Sequence, residues 1–128
     1  MSHFTTVKTK IVDKECLKRT IEELGYNYED VKTKIKGYNE KTIKADIVIK
    51  TKGIYDIGCK WNGDNYDIVA DWWGVEQGSS IKEQTFISEL TQKYACNKTK
   101  DVLNEKGFVL AEEKVNDKNE IVLTVRQW

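Results

Sequence analysis

Two aspartates are the residues of this sequence whose placement could support chemistry. Hydrophobic residues alternate on both sides of Gly63-Asp64, and a two-residue turn there puts Asp56 opposite Asp71 on the outer face of a hairpin. Facing carboxylates repel unless they share a proton or hold a cation, so a small metal-dependent enzyme using this pair is one hypothesis. A Mg²⁺ or Ca²⁺ site needs more oxygen ligands than two aspartates supply. Screening of the pair by Lys50 on a solvated face is therefore the favoured interpretation.

The pair Trp72-Trp73 follows directly and favours a binding role. Consecutive residues of a strand point to opposite faces, so Trp72 is expected in the core beside Tyr55, and Trp73 on the outer face beside Asp71. Tryptophan is enriched at binding hot spots. The sequence thus favours a non-enzymatic binding or accessory module whose partner surface contains Asp56, Asp71 and Trp73. The open alternative is that a helix or the following loop covers Trp73.

Lysines near the N-terminus suggest a second kind of partner. Single-stranded nucleic acid binds where basic groups alternate with exposed aromatic rings. The chain has 21 Lys and Arg residues against 21 Asp and Glu, a net charge of zero, which makes nucleic acid an unlikely partner. Lysines on edge strands also protect them from aggregation. The residues of this alternative are Lys8, Lys10, Lys32, Lys34 and Lys36, with Tyr26, Tyr28 and Tyr38.

The sequence carries no sign of catalytic machinery or of a cofactor. His3 is the only histidine, Ser79-Ser80 is better suited to capping a helix, and no glycine-rich phosphate loop is present. The chain has three cysteines, an odd number, and they are widely spaced: Cys16, Cys59 and Cys96. We therefore expect reduced thiols and do not expect a metal site. No apolar run reaches about 18 residues, so we expect no membrane insertion. No small-molecule ligand is evident.

The first half of the chain alternates strand and helix signals. Thr5 to Val12 is predicted to be a strand, Asp13 to cap a helix running to about Leu24, and Gly25 to end it in a left-handed conformation. A short strand around Val31 to Ile35 is possible. The chain then predicts a three-stranded meander with a loop at Thr51-Lys52-Gly53. Its expected pairs are Ile49 with Tyr55, Ile47 with Ile57, Ala45 with Cys59, Cys59 with Ile68, and Trp61 with Tyr66.

The second half predicts a helix and a final hairpin. Ser80 and Glu83 form a capping box before the helical face of Phe86, Leu90 and Tyr94; Asn97-Lys98 is expected to interrupt this helix, and Gly107 to end it. The hairpin then turns at 116–119. The fold class predicted for the single domain 1–128 is α+β, an antiparallel-rich sheet of about five to seven strands with two helices packed on one face.

Five short motifs, in order, resemble a known family. They are Met1-Ser2-His3-Phe4, Ala45-Asp46-Ile47-Val48-Ile49, Tyr55-Asp56-Ile57-Gly58, Ala70-Asp71-Trp72-Trp73 and Gln92-Lys93-Tyr94-Ala95. Together they are similar to the hypothetical chloroplast reading frame thirty-five family of algal plastids and cyanobacteria. The resemblance implies a location in the chloroplast stroma or the cyanobacterial cytoplasm, and it supplies no catalytic residues. Some bacterial relatives look to be encoded near AAA-type ATPases, which makes such a machine a candidate partner.

Overall fold

The computed structural model describes residues 3–127, so Met1, Ser2 and Trp128 lie outside it. Its centre is a five-stranded antiparallel sheet in the order β1-β7-β6-β5-β2. The α+β class expected from the sequence is confirmed. The first strand is shorter than predicted and ends at Val7. The sheet strands are β1 (Thr5–Val7), β2 (Tyr28–Glu29), β5 (Ile47–Ile49), β6 (Ile57–Trp61) and β7 (Tyr66–Ala70).

Helices cover one face of this sheet. Helix α1 (Lys14–Glu23) begins as predicted, because the Asp13 carboxylate accepts a hydrogen bond from the Cys16 amide at 3.0 Å. It ends at a glycine with φ of 90°, as expected for Gly25. The long helix α3 (Glu83–Glu105) packs beside α1. The core between helices and sheet contains Leu17 and Ile21 of α1, Phe86 and Leu90 of α3, and Ile47, Ile57 and Ile68 of the sheet.

A small hairpin covers the opposite face. Its strands are β3 (Thr33–Lys36) and β4 (Thr42–Ala45), joined through a 3-10 turn at Tyr38–Glu40. Close packing depends on Gly58, because a Cβ atom there would lie 2.7 Å from that of Ala45. This second layer forms a separate core of Ile35, Ala45, Val48 and Val69. Alternation along 45–49 therefore fails at Asp46, where the chain bends.

The two predicted hairpin registers have different outcomes. The β6–β7 register is confirmed, with Trp61 opposite Tyr66 and Cys59 opposite Ile68. The β5–β6 register is wrong by two residues: Ile49 faces Ile57, and Ile47 faces Cys59. The loop there is longer than Thr51–Gly53 because side chains fold it back on itself, as described below. A shift of two residues keeps Ile47 and Ile49 on the same face as Ile57 and Cys59, so this core survives the error, whereas Ala45 lies on the opposite face.

Three expectations about the helical region are also corrected. Trp72-Trp73 begins a short helix, α2 (Trp72–Gly78), and is not in a strand. Ser80 does not cap α3, whose first amide, Glu83, instead donates to the Glu76 carboxylate at 3.0 Å. Asn97 does not break α3, because its buried amide donates to Thr20 and Glu23 of α1.

The chain ends in a hairpin that stands apart from the main sheet. Its strands are β8 (Phe108–Val115) and β9 (Ile121–Gln127), which pair only with each other in the described residues. The hairpin follows Gly107 and turns at 116–119, as the sequence predicted. It packs against the far side of α3.

Candidate functional site

The first feature of the site is the buried aspartate that begins α2. Asp71 is fully buried, and its Oδ1 accepts the Gly74 amide at 3.4 Å. Its Oδ2 accepts the Tyr38 amide at 2.8 Å. One carboxylate therefore caps the helix and also holds the 3-10 turn of the β3–β4 hairpin against it. A carboxylate is well suited to this, since charge-assisted hydrogen bonds are stronger than neutral ones.

The β5–β6 loop contacts α2 from another side. The Tyr55 ring lies on Gly74, where a Cβ atom would overlap the ring carbon Cδ2. At the end of the helix, a Cβ atom on Gly53 would lie 2.9 Å from the Gly78 carbonyl oxygen. Two glycines in a seven-residue helix are unfavourable for helix formation. Gly74 is nonetheless needed here, because no side chain fits between the helix and Tyr55.

Three large exposed side chains are held on these converging segments. They are Tyr38 on the 3-10 turn, Ile54 on the β5–β6 loop and Trp73 on the first turn of α2, with 49%, 78% and 56% of their surfaces exposed. We refer to these three residues as the α2 surface. The backbone at or next to each of them makes a specific hydrogen bond: the Tyr38 and Gly74 amides donate to Asp71, and the Gly53 amide donates to Thr51.

The second predicted aspartate, Asp56, shapes the loop that carries Ile54. Its carboxylate accepts the Thr51 amide and the Lys50 ammonium, both at 3.2 Å. The Thr51 hydroxyl donates to the Tyr55 carbonyl at 2.6 Å and accepts the Gly53 amide at 3.2 Å. These bonds fold the loop back and explain why the strands pair two residues further along than predicted. The predicted screening of Asp56 by Lys50 is present.

Asp56 and Asp71 have separate hydrogen-bond donors and do not form the predicted cross-strand pair. The β6–β7 ladder ends at Gly58 opposite Val69, so neither aspartate belongs to it. Within residues 3–127, no group of three or more His, Cys, Asp or Glu side chains could hold a metal ion. A metal-dependent reaction at Asp56 and Asp71 has no support in this geometry.

The acidic middle of the sequence is largely engaged in internal contacts. Residues 53–79 hold five carboxylates and one lysine. Besides the two just described, Asp67 accepts Lys8 at 3.0 Å and the Asn62 side chain at 2.9 Å. Glu76 caps α3. The local excess of negative charge therefore reflects hydrogen bonding within the fold and does not make an acidic surface at α2.

The lysines and tyrosines of the nucleic-acid alternative do not form one surface. Tyr26 packs edge-on against Phe86 in the core, with ring centroids 5.4 Å apart. Tyr28 turns toward α1 and donates to Glu22. Lys34 does lie on an exposed face, directly opposite Lys44. The third tyrosine, Tyr38, is exposed on the turn that follows Lys36, but one ring does not make the series of stacking platforms on which single-stranded nucleic acid depends.

All three cysteines are buried and reduced. Burial raises the pKa of the Cys59 thiol to about 12, with a smaller contribution from the nearby Asp46 carboxylate. Burial also raises the pKa of Cys16. The Cys16 and Cys59 thiols are therefore neutral at physiological pH and unsuited to nucleophilic or metal-binding roles.

The sequence predicted Trp73 as part of a protein-binding surface and placed Tyr38 only in the nucleic-acid alternative, and Ile54 was not predicted in either. Trp73 was expected to be exposed, and it is, although it lies on a helix. Ile54 had a signal in the sequence, because alternation that places Tyr55 inward turns its neighbour outward. Nothing in the sequence joined Tyr38 to Trp73, since the position of Tyr38 depends on a contact with Asp71, 33 residues away. The binding role of Asp56, Asp71 and Trp73 remains a prediction.

Comparison with known proteins places this chain among proteins of similar length. The family DUF1257, described as a protein of unknown function, matches residues 20–124. The chain is similar to uncharacterised ycf35 proteins from Guillardia theta (36% identical), Cyanophora paradoxa (34%) and Pyropia yezoensis (33%), in each case over the whole chain and 98% of the relative. Because ycf35 proteins are encoded in plastid genomes, these relatives indicate a plastid origin.

No solved structure matches the chain. Among the described residues, no helix combines the length and the apolar character needed to cross a bilayer.

Proposed function

The chain belongs to the DUF1257 family of proteins of unknown function, and we propose that it is a non-enzymatic module that binds another protein through the α2 surface. The observation that carries this proposal is the exposure of Trp73 on the first turn of α2, whose backbone is held by the hydrogen bond from the Gly74 amide to the buried Asp71 carboxylate. Its place of action is the chloroplast stroma or the cytoplasm of a cyanobacterium. An AAA-type ATPase is a candidate partner, for which the module would serve as an accessory subunit.

The composition of the α2 surface supports a protein partner. Three of the ten large hydrophobic side chains exposed in the described residues belong to segments that touch α2. Tryptophan and tyrosine are enriched among the residues that dominate binding energy, and such residues cluster. A gathering of exposed apolar groups is also a common mark of an interaction site. An apolar segment of a partner protein is the ligand that this chemistry fits.

The three predicted site residues have different roles in this proposal. Trp73 contacts the partner directly because its indole is more than half exposed. Asp71 is buried and acts as a positioning residue, since it fixes the start of α2 relative to Tyr38. Asp56 also positions the surface, because it holds the loop that carries Ile54.

The experiment is a comparison of tagged variants captured from the native source and identified by mass spectrometry. Wild type and W73A are tested together with W61A. Trp61 is the matched control because it is 41% exposed and lies at the end of β6, on the turn away from α2. Removing a hot-spot side chain costs at least about 2 kcal/mol, so we expect W73A to lose roughly 30-fold in affinity for the captured partner.

The control decides how the result is interpreted. Wild type and W61A should capture the same partner, and circular dichroism should show that W73A keeps its fold. Equal capture by W73A and wild type would contradict the assignment of the α2 surface. Salt-sensitive capture of nucleic acid by all three variants would instead favour the lysine alternative.

A further inference from the structure

The β8–β9 hairpin leaves one long strand edge open. Strand β9 spans seven residues and has a single neighbour, β8, within the described chain. Its other edge presents unpaired backbone N–H and C=O groups, which readily pair with a strand of another molecule. Proteins normally protect such edges, so an unprotected one calls for an explanation in terms of a partner.

The other edge strands of this protein are protected in the usual ways. Strands β1 and β2 are only three and two residues long. Strands β3 and β4 have four residues each and carry exposed lysines. Strand β8 has a register irregularity between Leu110 and Glu112 and three consecutive charged residues. Short length, lysines, bulges and charges all discourage edge-to-edge pairing.

Strand β9 has none of these protections over most of its length. Its sequence Ile-Val-Leu-Thr-Val-Arg-Gln contains no proline, no glycine and only one charged residue, Arg126, next to its end. Four of its seven residues are β-branched, which favours strand pairing. Its exposed face includes Val122 and Thr124, and Ile121, Leu123 and Val125 on the other face are half-buried toward α3.

A cavity lies beside this open edge. It has a volume of about 440 Å³ and runs between Ile121 and Leu123 of β9 and Ala95 and Thr99 of α3. The residues that line it in the described chain include none from β8, so it lies on the β9 side of the hairpin. An additional strand paired with β9 would extend the sheet over this part of α3.

We infer that this additional strand is β9 of a second copy of the chain, and that the protein is a two-fold symmetric dimer. In an antiparallel arrangement centred on Thr124, all seven residues of β9 find partners. Thr124 faces its own copy, Leu123 faces Val125, Val122 faces Arg126, and Ile121 faces Gln127. Each pair joins residues of the same face, as pairing across a two-fold axis requires. The resulting four-stranded sheet β8-β9-β9-β8 keeps its apolar face toward both α3 helices.

The pairing fits β9 better than it fits β8. A two-fold axis through the charged part of β8, at Glu112 or Glu113, would set that glutamate against its own copy, and facing carboxylates are unfavourable. On β9 the axis passes through a threonine, and Thr–Thr pairs stabilise antiparallel sheets. The charge pattern of the hairpin thus selects one edge and one partner, its own copy.

The variant T124K tests the dimer selectively. Within one chain Thr124 lies opposite Glu112, so a lysine there is compatible with the folded monomer. In the dimer the two introduced lysines face each other across the axis, where like charges cost several kcal/mol. We expect the dimer dissociation constant to rise roughly a hundredfold. V115K is the matched control, because Val115 is 63% exposed at the far end of β8.

The measurement is sedimentation velocity of wild type, T124K and V115K over a dilution series. Wild type and V115K should sediment as dimers, and T124K as a monomer. Wild type that remains monomeric up to the concentration of an NMR sample overturns the inference. Dimers of unchanged affinity in T124K overturn it too, because another surface would then hold the copies together.

A cross-linking experiment keeps the inference testable if T124K does not fold. Directly opposite residues of an antiparallel pair have Cα atoms about 4.5 to 5.5 Å apart, which lies within the Cα separation that a disulfide spans. We expect T124C to form an intermolecular disulfide under mild oxidation much faster than V115C. The natural cysteines are buried and do not compete. Equal cross-linking of T124C and V115C overturns the inference.

Discussion

Replacing Asp71 tests the arrangement on which the α2 surface depends. In the variant D71A, the Gly74 amide loses the acceptor that caps α2, and the Tyr38 amide loses its partner at 2.8 Å. The Gly74 amide is then left without a hydrogen bond in the interior, and the Tyr38 amide in a partly buried position. Two elements that are far apart in the sequence would be released together by a single substitution.

The expected magnitude follows from these two contacts. Loss of an N-cap costs about 1 kcal/mol, and the long 3.4 Å contact to Gly74 places this cap at or below that figure. The Tyr38 amide, which loses a charged acceptor, costs about 2 kcal/mol of stability in addition. We therefore expect the free energy of unfolding to fall by about 3 kcal/mol, which corresponds to roughly 10 °C in melting temperature for a chain of this size. D71N keeps one carbonyl acceptor and should lose about half as much.

Urea denaturation measures the free energy, and hydrogen exchange locates the effect. The Tyr38 and Gly74 amides should exchange faster in D71A than in wild type, while the β6–β7 ladder keeps its protection. D64A is the matched control, because Asp64 is exposed in the β6–β7 turn and surface changes usually stay within about 0.5 kcal/mol. The reasoning is refuted if D71A is as stable as D64A, or if the Tyr38 amide remains protected.

Three further predictions concern packing, pH and thiol reactivity. G74A should lower the free energy of unfolding by about 2 kcal/mol, because the added methyl group overlaps the Tyr55 ring. G78A should leave the free energy of unfolding nearly unchanged, because a methyl group there meets only ordinary van der Waals contacts. Urea denaturation of both variants measures the difference. The hydrogen bond from Lys98 lowers the pKa of Asp13 below its usual 3.8. The stability that the Asp13 carboxylate contributes at neutral pH is therefore lost as the pH falls through this lowered pKa. In an acid titration, D13N should lose less stability than wild type. The three cysteines should resist a thiol reagent until urea unfolds the chain; rapid labelling of the native protein would contradict their burial.

Sequence reasoning succeeded where the determining interactions are local. The Asp13 cap lies three residues from the amide it binds, and the 63–64 turn is closed by Asn62 and Asn65. The exposure of Trp73 was also foreseen, although through a strand. Neighbouring residues diverge by about 100° on a helix, so one of two adjacent tryptophans is still directed outward. The burial of Trp72 and the exposure of Trp73 were therefore correct even though the element type was wrong, whereas Asp71 was expected on the outer face and is buried.

The errors arise where one side chain joins distant segments. Asparagine has a low helix propensity, yet Asn97 lies inside α3, because Thr20 and Glu23 of α1 accept hydrogen bonds from its side-chain amide. The glycine at the end of Thr51-Lys52-Gly53 predicts a tight three-residue loop between β5 and β6. Its length is set by Thr51 and Asp56, whose hydrogen bonds within the loop no spacing rule captures.

The same internal hydrogen bonds change the chemistry of the proposed surface. The sequence predicts that Asp56 and Asp71 make the outer face beside Trp73 acidic. In the fold, Asp71 is buried beneath α2, Asp56 is paired with Lys50, and Glu76 caps α3. The three exposed side chains of the α2 surface are largely apolar, so we expect the binding proposed there to depend on burial of Tyr38, Ile54 and Trp73 more than on charge attraction. The carboxylates act by holding the three segments together, which makes the geometry of an apolar surface sensitive to residues that never contact the partner.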